Sequence, residues 1–355
     1  MKGIVLHGGH GTRLRPLTHT GPKQLLPIAN KPMSQYCIEA LKEAGINDIA
    51  IVIGGVGSSK VKEYYGNGKN FGLRFTYIEQ DYPRGISHAI SLCKEFVGND
   101  KFVVFLGDNI LRGGITKYVK EFEKSNTDAS ILLCEVDDPS QFGIVEIENG
   151  VIKKIVEKPK NPPSNLAVIG VYLLTPKFFD IIPKLKPSWR NELEITDALE
   201  ILLEEKQKVI VNTVTENWKD TGTPEDIIHA NKFILENMHP FCDGKIERKT
   251  YIEGKILVGK NTIIKSGAKI IGPVIIGNNC IIKSKSKIGP NVSIGDESII
   301  DNCDIADSIV MSHCTITCPL KIRQSIIALY SKILASESKT DEKQFLFGEG
   351  TTVIL

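Results

Sequence analysis

The sequence predicts an α/β domain followed by a parallel β-helix, and two patterns carry this prediction. Over about 240 residues, short apolar runs typical of strands alternate with stretches of helical spacing. Such alternation implies parallel strands with helices on both faces. From Ile246 to Ile300 an aliphatic residue recurs at every sixth position, which is the repeat of a parallel β-helix. We therefore divide the chain into residues 1–240 and residues 241–355.

The first domain opens on a strand and a glycine-rich turn. The apolar run at 3–6 predicts a buried strand, and the turn that follows carries Gly8, Gly9 and Gly11. A loop that leaves a strand end is a common ligand crevice in an open α/β sheet, and glycine lets backbone amides approach a ligand. Three cations follow closely along the chain, namely Arg13, Arg15 and Lys23. Amide donors beside cations suit a polyphosphate.

Two common phosphate-binding motifs are excluded at this turn. It lacks the Gly-Lys-Ser/Thr ending of a P-loop, and the stretch 9–14 lacks the third glycine of the dinucleotide fingerprint.

The remaining elements of the first domain follow from periodicity and turn signals. Helices are predicted at 34–44, with Ser34 as a candidate cap, and at 60–65, 87–96, 115–124, 196–206 and 224–236. Further strands are predicted at 48–53, 73–78, 101–106, 129–136, 143–147, 151–156, 168–174 and 208–214.

The six-residue repeat of the second domain has one interruption. It breaks after Ile300 and resumes, shifted by four positions, at Val310, which we interpret as an inserted corner loop. The segment 336–350 is polar, and a final strand is predicted at 351–355.

Composition indicates an ordinary globular protein. A net charge of +2 argues against a nucleic-acid or membrane-surface protein. We expect a cytoplasmic location, because we find no leader and no apolar run long enough to span a membrane. The eight cysteines lie mostly inside apolar patterns, which favours reduced core thiols over disulfides. A zinc site at His313, Cys314 and Cys318 is the weaker hypothesis, since it lacks a second pair of ligands.

The glycine turn is the centre of a family resemblance. Residues 8–18 resemble the G-G-x-G-T-R-L-x-P-L-T signature of the sugar-phosphate nucleotidyltransferases, and 22–28 match their P-K-Q-L-L-P-I segment. The resemblance implies a Rossmann-like mixed sheet of the GT-A-like kind, with a left-handed β-helix after it. Gln24 and the segments 164–173 and 192–199 are most similar to the long glucose-1-phosphate thymidylyltransferases. The implied reaction is transfer of dTMP from dTTP to α-D-glucose 1-phosphate, giving dTDP-glucose and pyrophosphate.

Asp108 is the first candidate metal ligand. It follows the strand at 101–106, so its carboxylate is expected at the sheet edge near the glycine turn, although turn aspartates are common there. The resemblance makes Asp108 and Asp220 ligands of Mg²⁺, with substrate phosphate and water completing the shell. It also gives Arg13, Lys23 and Lys158 catalytic roles: Arg13 and Lys23 toward the leaving phosphates, Lys158 toward the sugar phosphate. Arg15 remains a surface arginine in this interpretation.

The resemblance also assigns substrate contacts. The implied nucleotide-binding residues are Leu6, Gly8, Gly9, Gly11, Thr12, Arg13, Gln80, Pro83, Gly85 and Asp108. The implied sugar-phosphate-binding residues are Gly143, Glu157, Lys158, Val168 and Tyr172. Without the resemblance, we would interpret Glu157 and Lys158 as solvent-exposed residues at the end of a strand.

The sequence departs from the family pattern around the glycine turn and on the base side. His7 stands where a small residue is usual, and His10 occupies a variable position of the loop. We expect the imidazole to turn out to solvent, so that His7→Ala leaves turnover within a few-fold. Ser87-His88 replaces the commoner Ala-Gln, which leaves the base-side contacts open.

Three alternatives stay open from sequence. One is a UTP-dependent enzyme acting on glucose 1-phosphate or N-acetylglucosamine 1-phosphate, because thymine and uracil differ only in a methyl contact. Another is a hexapeptide-repeat acyltransferase, for which His313 is the candidate base in the repeats. The third is a non-enzymatic nucleotide-sugar sensor. In each case we expect a homo-oligomer through the β-helix.

Overall fold

The computed structural model describes residues 1–9, 11–215, 218–335 and 351–352. The chain divides into two compact units. The first unit comprises Met1–Gly11, Thr18–Leu25 and Met33–Asp220. The second unit comprises Thr12–Leu17, Leu26–Pro32 and Thr221–Leu355. A domain boundary near residue 240 stays a prediction. The polar segment 336–350 and most of the predicted last strand lie outside the described residues.

The strands of the first unit follow the apolar runs of the sequence. They are β1 Lys2–Leu6, β2 Asp48–Ile53, β3 Arg74–Glu79, β4 Phe102–Leu106, β5 Asn109–Leu111, β6 Ala129–Glu135, β7 Gly143–Glu148, β8 Val151–Glu157, β9 Leu166–Leu174, β10 Val209–Thr213 and β11 Trp218–Asp220. The main sheet has the order β8-β7-β9-β4-β1-β2-β3, and β6 pairs with both β9 and β10.

The main sheet is mixed, as predicted. β1 lies between β4 and β2 and runs parallel to both. β9 is antiparallel to β4 and to β6. Because β1 and β4 are parallel neighbours, the loops after Leu6 and Leu106 emerge at the same edge.

Helices cover both faces of this sheet. They are α1 Met33–Glu43, α2 Ser58–Tyr65, α3 Ile86–Ser91, α4 Lys94–Val97, α5 Thr116–Lys124, α6 Phe178–Ile181 and α7 Ile195–Glu204, with short 3₁₀ turns at Lys23–Leu25, Lys69–Phe71, Pro139–Gln141 and Ile182–Lys184. Ile4 and Leu6 pack in one core cluster and Val5 in the other. This alternation is what a strand buried on both faces requires.

Two local predictions for this unit are wrong. Ser34 does not cap α1, which begins at Met33; its hydroxyl instead donates to the Gln24 carbonyl and contacts the Tyr65 hydroxyl. The helix predicted at 87–96 is two short helices, α3 and α4, separated at Leu92 and Cys93.

The second unit contains a parallel β-helix. Its strands are Phe241–Cys242, Lys245–Ile246, Tyr251–Glu253, Ile256–Val258, Ile263–Ile264, Lys269–Ile271, Val274–Ile276, Ile281–Ile282, Lys287–Ile288, Val292–Ile294, Ile299–Asp301, Asp304–Ala306, Ser308–Val310, Thr315–Thr317, Lys321–Arg323, Ile326–Ile327 and Lys332–Leu334. Within the described residues they form three parallel sheets, the arrangement of a left-handed hexapeptide helix. Aliphatic residues stack into ladders, as in Ile264 beside Ile282 and Ile282 beside Ile300.

The interruption after Ile300 is not an inserted loop. Ile305 is fully buried and pairs with Ile288, although it comes five residues after Ile300 rather than six. Val310 comes five residues later again and pairs with Ile294. Two consecutive sides are each one residue short, and together they give the apparent shift of four.

Helix α8, Pro224–Leu235, also belongs to the second unit. Thr223 caps it in a reciprocal capping box with Asp226. A small hairpin of Pro27–Ile28 and Lys31–Pro32 lies in the same unit. None of the helices in the described parts of the chain is long and apolar enough to cross a membrane.

Candidate nucleotidyl-transfer site

The glycine turn after β1 has the backbone that the motif predicts. Gly9 has φ 97° and Gly11 has φ 58°, the left-handed region in which an added Cβ would be strained. The Thr18 hydroxyl donates to the Gly11 carbonyl over 2.7 Å. The Gln24 side-chain amide donates to the Gly8 carbonyl over 3.1 Å. The 3₁₀ turn Lys23–Leu25 therefore supports the glycine turn from behind.

Asp108 lies at the same sheet edge, two residues beyond the end of β4. The Lys23 ammonium pairs with its Oδ2, and the Asn109 amide donates to its Oδ1 over 2.9 Å. Burial alone would raise the pKa of this carboxyl. The Lys23 charge and the hydrogen bonds outweigh burial, so the net pKa is lowered and Asp108 is a carboxylate at neutral pH.

Asp220 is brought beside Asp108 by strand pairing. β11 runs antiparallel to β5, and Asp220 is in register with Asn109. Asn109 is buried, and its Oδ1 accepts from the Trp218 indole N–H over 2.6 Å and from the Gly170 N–H over 3.2 Å. One amide side chain thus ties β5 to β9 and β11. The two predicted acidic residues share this corner of the first unit.

The residues at this corner fit a divalent ion. Among the described residues no group of three or more His, Cys, Asp or Glu side chains is placed to hold a metal. Two carboxylates are the smaller set that suits Mg²⁺, which keeps several waters and takes further oxygen ligands from substrate phosphates. The half-buried and ionised Asp108 is the donor type that such an ion requires.

Gln80 and Pro83 line a cleft with the glycine turn. The lining residues are Gly8, Gly9, Gly54, Gly55, Gln80, Asp81, Tyr82 and Pro83. A Cβ on Gly54 would lie 2.5 Å from the Gln80 carbonyl oxygen, so only glycine fits there. Gly85 directly precedes α3 and has φ 96°. A Cβ added to Gly85 would lie 2.5 Å from the Leu193 carbonyl oxygen, so glycine is required there as well. Four predicted nucleotide-side residues, Gly8, Gly9, Gln80 and Pro83, therefore share one cleft.

Glu157 and its neighbours form a second cluster in the first unit. The Arg190 guanidinium donates to Glu157 Oε1 over 3.1 Å, and the Thr196 hydroxyl donates to Oε2 over 3.1 Å. A Cβ on Gly143 would lie 2.5 Å from the Thr196 methyl, which explains the glycine. Burial, with Glu194 adding to it, raises the pKa of Glu157 despite Arg190 and Lys158.

Lys158 and Tyr172 are two other predicted sugar-phosphate residues near Glu157. Lys158 has φ 41°, an unusual value for a lysine, and its N–H donates to the Phe142 carbonyl over 3.0 Å. Tyr172 is 4% exposed, and burial raises its pKa, with further contributions from Glu157 and Asp108. Val168 is buried on the same strand.

Thr12 and Arg13 lie on a segment of the second unit. Both are exposed, in the 3₁₀ turn Thr12–Leu14, and Arg15 is exposed as well. The roles predicted for Thr12 and Arg13 stay predictions.

The expectation for His7 is wrong. Its side chain is 1% exposed rather than turned to solvent, and it packs edge-on against Tyr65 with ring centroids 6.1 Å apart. His7 directly follows β1, and its N–H donates to the Val52 carbonyl over 2.9 Å, which extends the hydrogen bonding between β1 and β2 by one residue. His10 lies outside the described residues.

The zinc hypothesis is also wrong, because no three His, Cys, Asp or Glu side chains in the described parts of the chain are placed to hold a metal. Cys314 and Cys318 are buried in the β-helix core, where burial raises the pKa of both thiols. The His313 Nδ1 faces Glu297 at 3.3 Å, and its ring stacks on Tyr330. All eight cysteines are free, as predicted.

Sequence reasoning missed the residues that hold the predicted ones in place. Asn109 and Trp218 flank the two aspartates, and Arg190 and Thr196 hold Glu157. A signal was available, since Thr196 lies within the segment 192–199 that carries part of the family resemblance and Arg190 lies two residues before it. A surface depression of about 430 Å³ at Asn47, Asn67 and Arg74 contains none of the predicted site residues.

Comparison with known proteins gives the class of this protein. The family model described as nucleotidyl transferase matches residues 2–237, and the chain belongs to that family. A second model, described as the GMPPB C-terminal domain, matches residues 270–353. Members of the family bind nucleoside triphosphates and sugar phosphates and generally use a divalent metal.

Two individual relatives are similar to this chain over most of its length. The low-salt glycan biosynthesis nucleotidyltransferase Agl11 of Haloferax volcanii is 47% identical over 257 residues, 72% of each chain. The glucose-1-phosphate thymidylyltransferase of Streptomyces antibioticus is 38% identical over 360 residues, 99% of each chain.

Two solved structures are also similar. A candidate glucose-1-phosphate thymidylyltransferase from Bacillus anthracis has a TM-score of 0.64 and 42% identity, covering 68% of this chain and 98% of that one. A UDP-glucose pyrophosphorylase complexed with UDP-glucose has a TM-score of 0.59 and 32% identity, covering 67% and 99%.

Proposed function

We propose that the protein transfers dTMP from dTTP to α-D-glucose 1-phosphate, releasing pyrophosphate and forming dTDP-glucose. The observation that carries the proposal is the pairing of β11 with β5, which puts Asp220 across from Asn109 and beside Asp108. Full-length similarity to a thymidylyltransferase supports the choice of substrates.

Asp108 and Asp220 are the residues that would hold Mg²⁺. A divalent ion there would supply charge neutralisation for the reacting phosphates. Lys23 keeps Asp108 ionised and adds a cation at the same edge. The amides of the glycine turn are suited to oxyanions, and Arg13 is assigned to the leaving phosphates.

Acceptor binding is assigned to the second cluster. Lys158 is the cation proposed for the sugar phosphate, and Glu157 the acceptor for sugar hydroxyls. Arg190 and Thr196 fix the Glu157 carboxylate, which leaves less side-chain entropy to be lost on binding. Gly143, Val168 and Tyr172 complete the proposed sugar side, and Gln80, Pro83 and Gly85 the base side.

A UTP-dependent reaction is the second candidate. The 32% identical UDP-glucose pyrophosphorylase favours it, because a uracil nucleotide sugar occupies that related protein. Thymine and uracil present the same hydrogen-bonding edge, and one methyl group gives only about 10- to 200-fold discrimination.

The test is a matrix of nucleoside triphosphates against sugar 1-phosphates, read as magnesium-dependent pyrophosphate release. We expect dTTP with glucose 1-phosphate to give the highest kcat/KM. Asp108→Asn should lower kcat at least ~100-fold, because the ionised ligand is lost. Asp138→Asn, at an exposed turn aspartate, is the matched control and should leave kcat unchanged. Equal activity of the Asp108 variant would contradict the metal assignment, and a preference for UTP would select the second candidate.

The proposal includes a cytoplasmic homo-oligomer. Large apolar side chains are exposed on the second unit, including Phe241, Leu329 and Tyr330. Such residues are typical of contacts between subunits. Light scattering on the purified chain would give the subunit number.

A further inference from the structure

We infer that His88 sets the choice of base by fixing the side-chain amide of Gln80, so that the amide oxygen faces the glycine-lined cleft. In that orientation the cleft accepts a base with an N–H at position 3, thymine or uracil, and rejects cytosine. The inference deepens the proposed function and rests on it. His88 acts through Gln80 and is a positioning residue.

The contact between the two side chains determines the orientation of the amide. Gln80 Nε2 lies 2.8 Å from His88 Nδ1. A glutamine NH₂ group can only donate, so in this arrangement Nδ1 accepts and the neutral ring carries its proton on Nε2. Gln80 is 6% exposed, which gives this hydrogen bond a low-dielectric setting.

Both partners are held by their backbones. The Gln80 N–H donates to the Ile53 carbonyl over 2.8 Å. On the other side, the Ser87 N–H donates to the Leu193 carbonyl and the Ser87 hydroxyl to the Glu194 carbonyl. These bonds fix the backbone at both positions, and the hydrogen bond to His88 restrains the terminal amide of Gln80.

The oxygen of the amide points toward the cleft. A Cβ on Gly8 would lie 3.5 Å from Gln80 Oε1, and Gly8 lines the cleft together with Tyr82 and Pro83. Thymine and uracil carry a donor at N3, whereas cytosine carries an acceptor there. An oxygen at this position pairs with the first two bases and leaves cytosine with two facing acceptors.

His88 stays neutral under ordinary conditions. Burial lowers its pKa, the nearby Arg84 lowers it further, and Asp81 opposes them. A neutral ring keeps the accepting nitrogen, which a protonated ring would lose.

The experiment replaces the hydrogen-bond acceptor at residue 88 with a hydrogen-bond donor. A lysine can only donate, so His88→Lys should turn the Gln80 amide and present its NH₂ group to the cleft. We expect the ratio of kcat/KM for dCTP to that for dTTP to rise at least ~10-fold, mainly through KM for dTTP. His88→Gln, which can still accept from Gln80, should keep the wild-type ratio. Ser91→Ala on the same helix removes only a hydrogen bond to the His88 carbonyl and is the control.

The outcomes separate the inference from the proposed function. Wild-type enzyme that does not use dTTP would contradict the proposed function itself. Wild-type enzyme that uses dTTP, with an unchanged dCTP to dTTP ratio in His88→Lys, would overturn the inference. If the lysine variant does not fold, His88→Leu replaces it: a ratio raised ~3-fold or more supports the inference, and an unchanged ratio overturns it.

Discussion

At residue 7 the chain buries an imidazole directly before the glycine turn. His7 is 1% exposed, and among the described residues neither ring nitrogen has a hydrogen-bond partner. Burial lowers its pKa to about 3, although the Asp108 carboxylate acts in the opposite direction. An unpaired buried polar atom costs about 1–3 kcal/mol. His7 is therefore a local source of instability in the first unit.

The first prediction concerns the pH dependence of stability. In the unfolded chain His7 takes up a proton near pH 6.5, whereas in the folded chain it does so only near 3. Stability present above pH 6.5 is therefore lost as the pH falls through this window. Between pH 7 and pH 5 the wild type should lose about 2 kcal/mol more than His7→Leu, measured by urea unfolding.

The exposed His239 supplies the control for this measurement. His239→Leu should retain the wild-type slope of unfolding free energy against pH, because this side chain is exposed rather than buried in the core. A His7→Leu variant with the same slope as wild type would show that the folded state protonates this ring.

Among the elements, the hairpin of residues 27–32 depends on the β-helix. Asn231 of α8 is 1% exposed, and its Oδ1 accepts from the Ala29 N–H and the Ser293 hydroxyl, both over 2.8 Å. The Asn30 amide donates to the Ile294 carbonyl over 2.6 Å. Ala29 and Asn30 both have positive φ, an unfavourable conformation for alanine in particular. These hydrogen bonds offset that strain.

The second prediction follows from this arrangement. Asn231→Leu leaves the Ala29 N–H and the Ser293 hydroxyl without their acceptor and should destabilise the chain by about 2–4 kcal/mol. Asn231→Asp keeps an acceptor oxygen in place and should recover at least half of the loss. Asn237→Leu, at an exposed position just after α8, should change stability by less than ~0.5 kcal/mol. Equal stability of Asn231→Leu and wild type in urea unfolding would exclude the role of Asn231.

Element types were predictable because they depend on local periodicity. Every strand predicted in the first domain is present within a residue or two, and the sheet is mixed as expected. The division of helix 87–96 at Leu92 and Cys93 was not predicted, since the apolar pattern of the sequence runs through these two residues. The shortened sides of the β-helix were mistaken for an insertion because Ile305 falls outside a strict six-residue count.

The site was predictable where a residue type has a chemical reason to be present. Asp108 and Asp220 do share one corner, and Gln80 does face the glycine turn. The contact of His88 with Gln80 was not predicted, although the sequence marks His88 as a departure from the family pattern. The role of Asn109 was missed because its partners, Gly170 and Trp218, are distant in sequence. Hydrogen bonds between distant positions leave no periodic signal.

At the scale of the whole molecule, the accessibility of the cysteine thiols is a test of the packing of both units. Cys242 is exposed, whereas Cys37, Cys93, Cys134, Cys280, Cys303, Cys314 and Cys318 are buried. Burial raises the pKa of six of these, Cys134 apart, so they react slowly as well as being inaccessible. The native chain should show about one thiol that reacts quickly with a colorimetric disulfide reagent, and denaturation should release the remainder of the eight.

Cys242→Ser identifies the reactive group. This variant should show almost no fast reaction while native and one thiol fewer than wild type when denatured. Fast reaction of two or more thiols in the native wild type would mean that a core of the first unit or of the β-helix is open to solvent. Comparing the fast fraction at low and high protein concentration adds a further test, because assembly through the surface around Phe241 would slow the reaction of its neighbour Cys242.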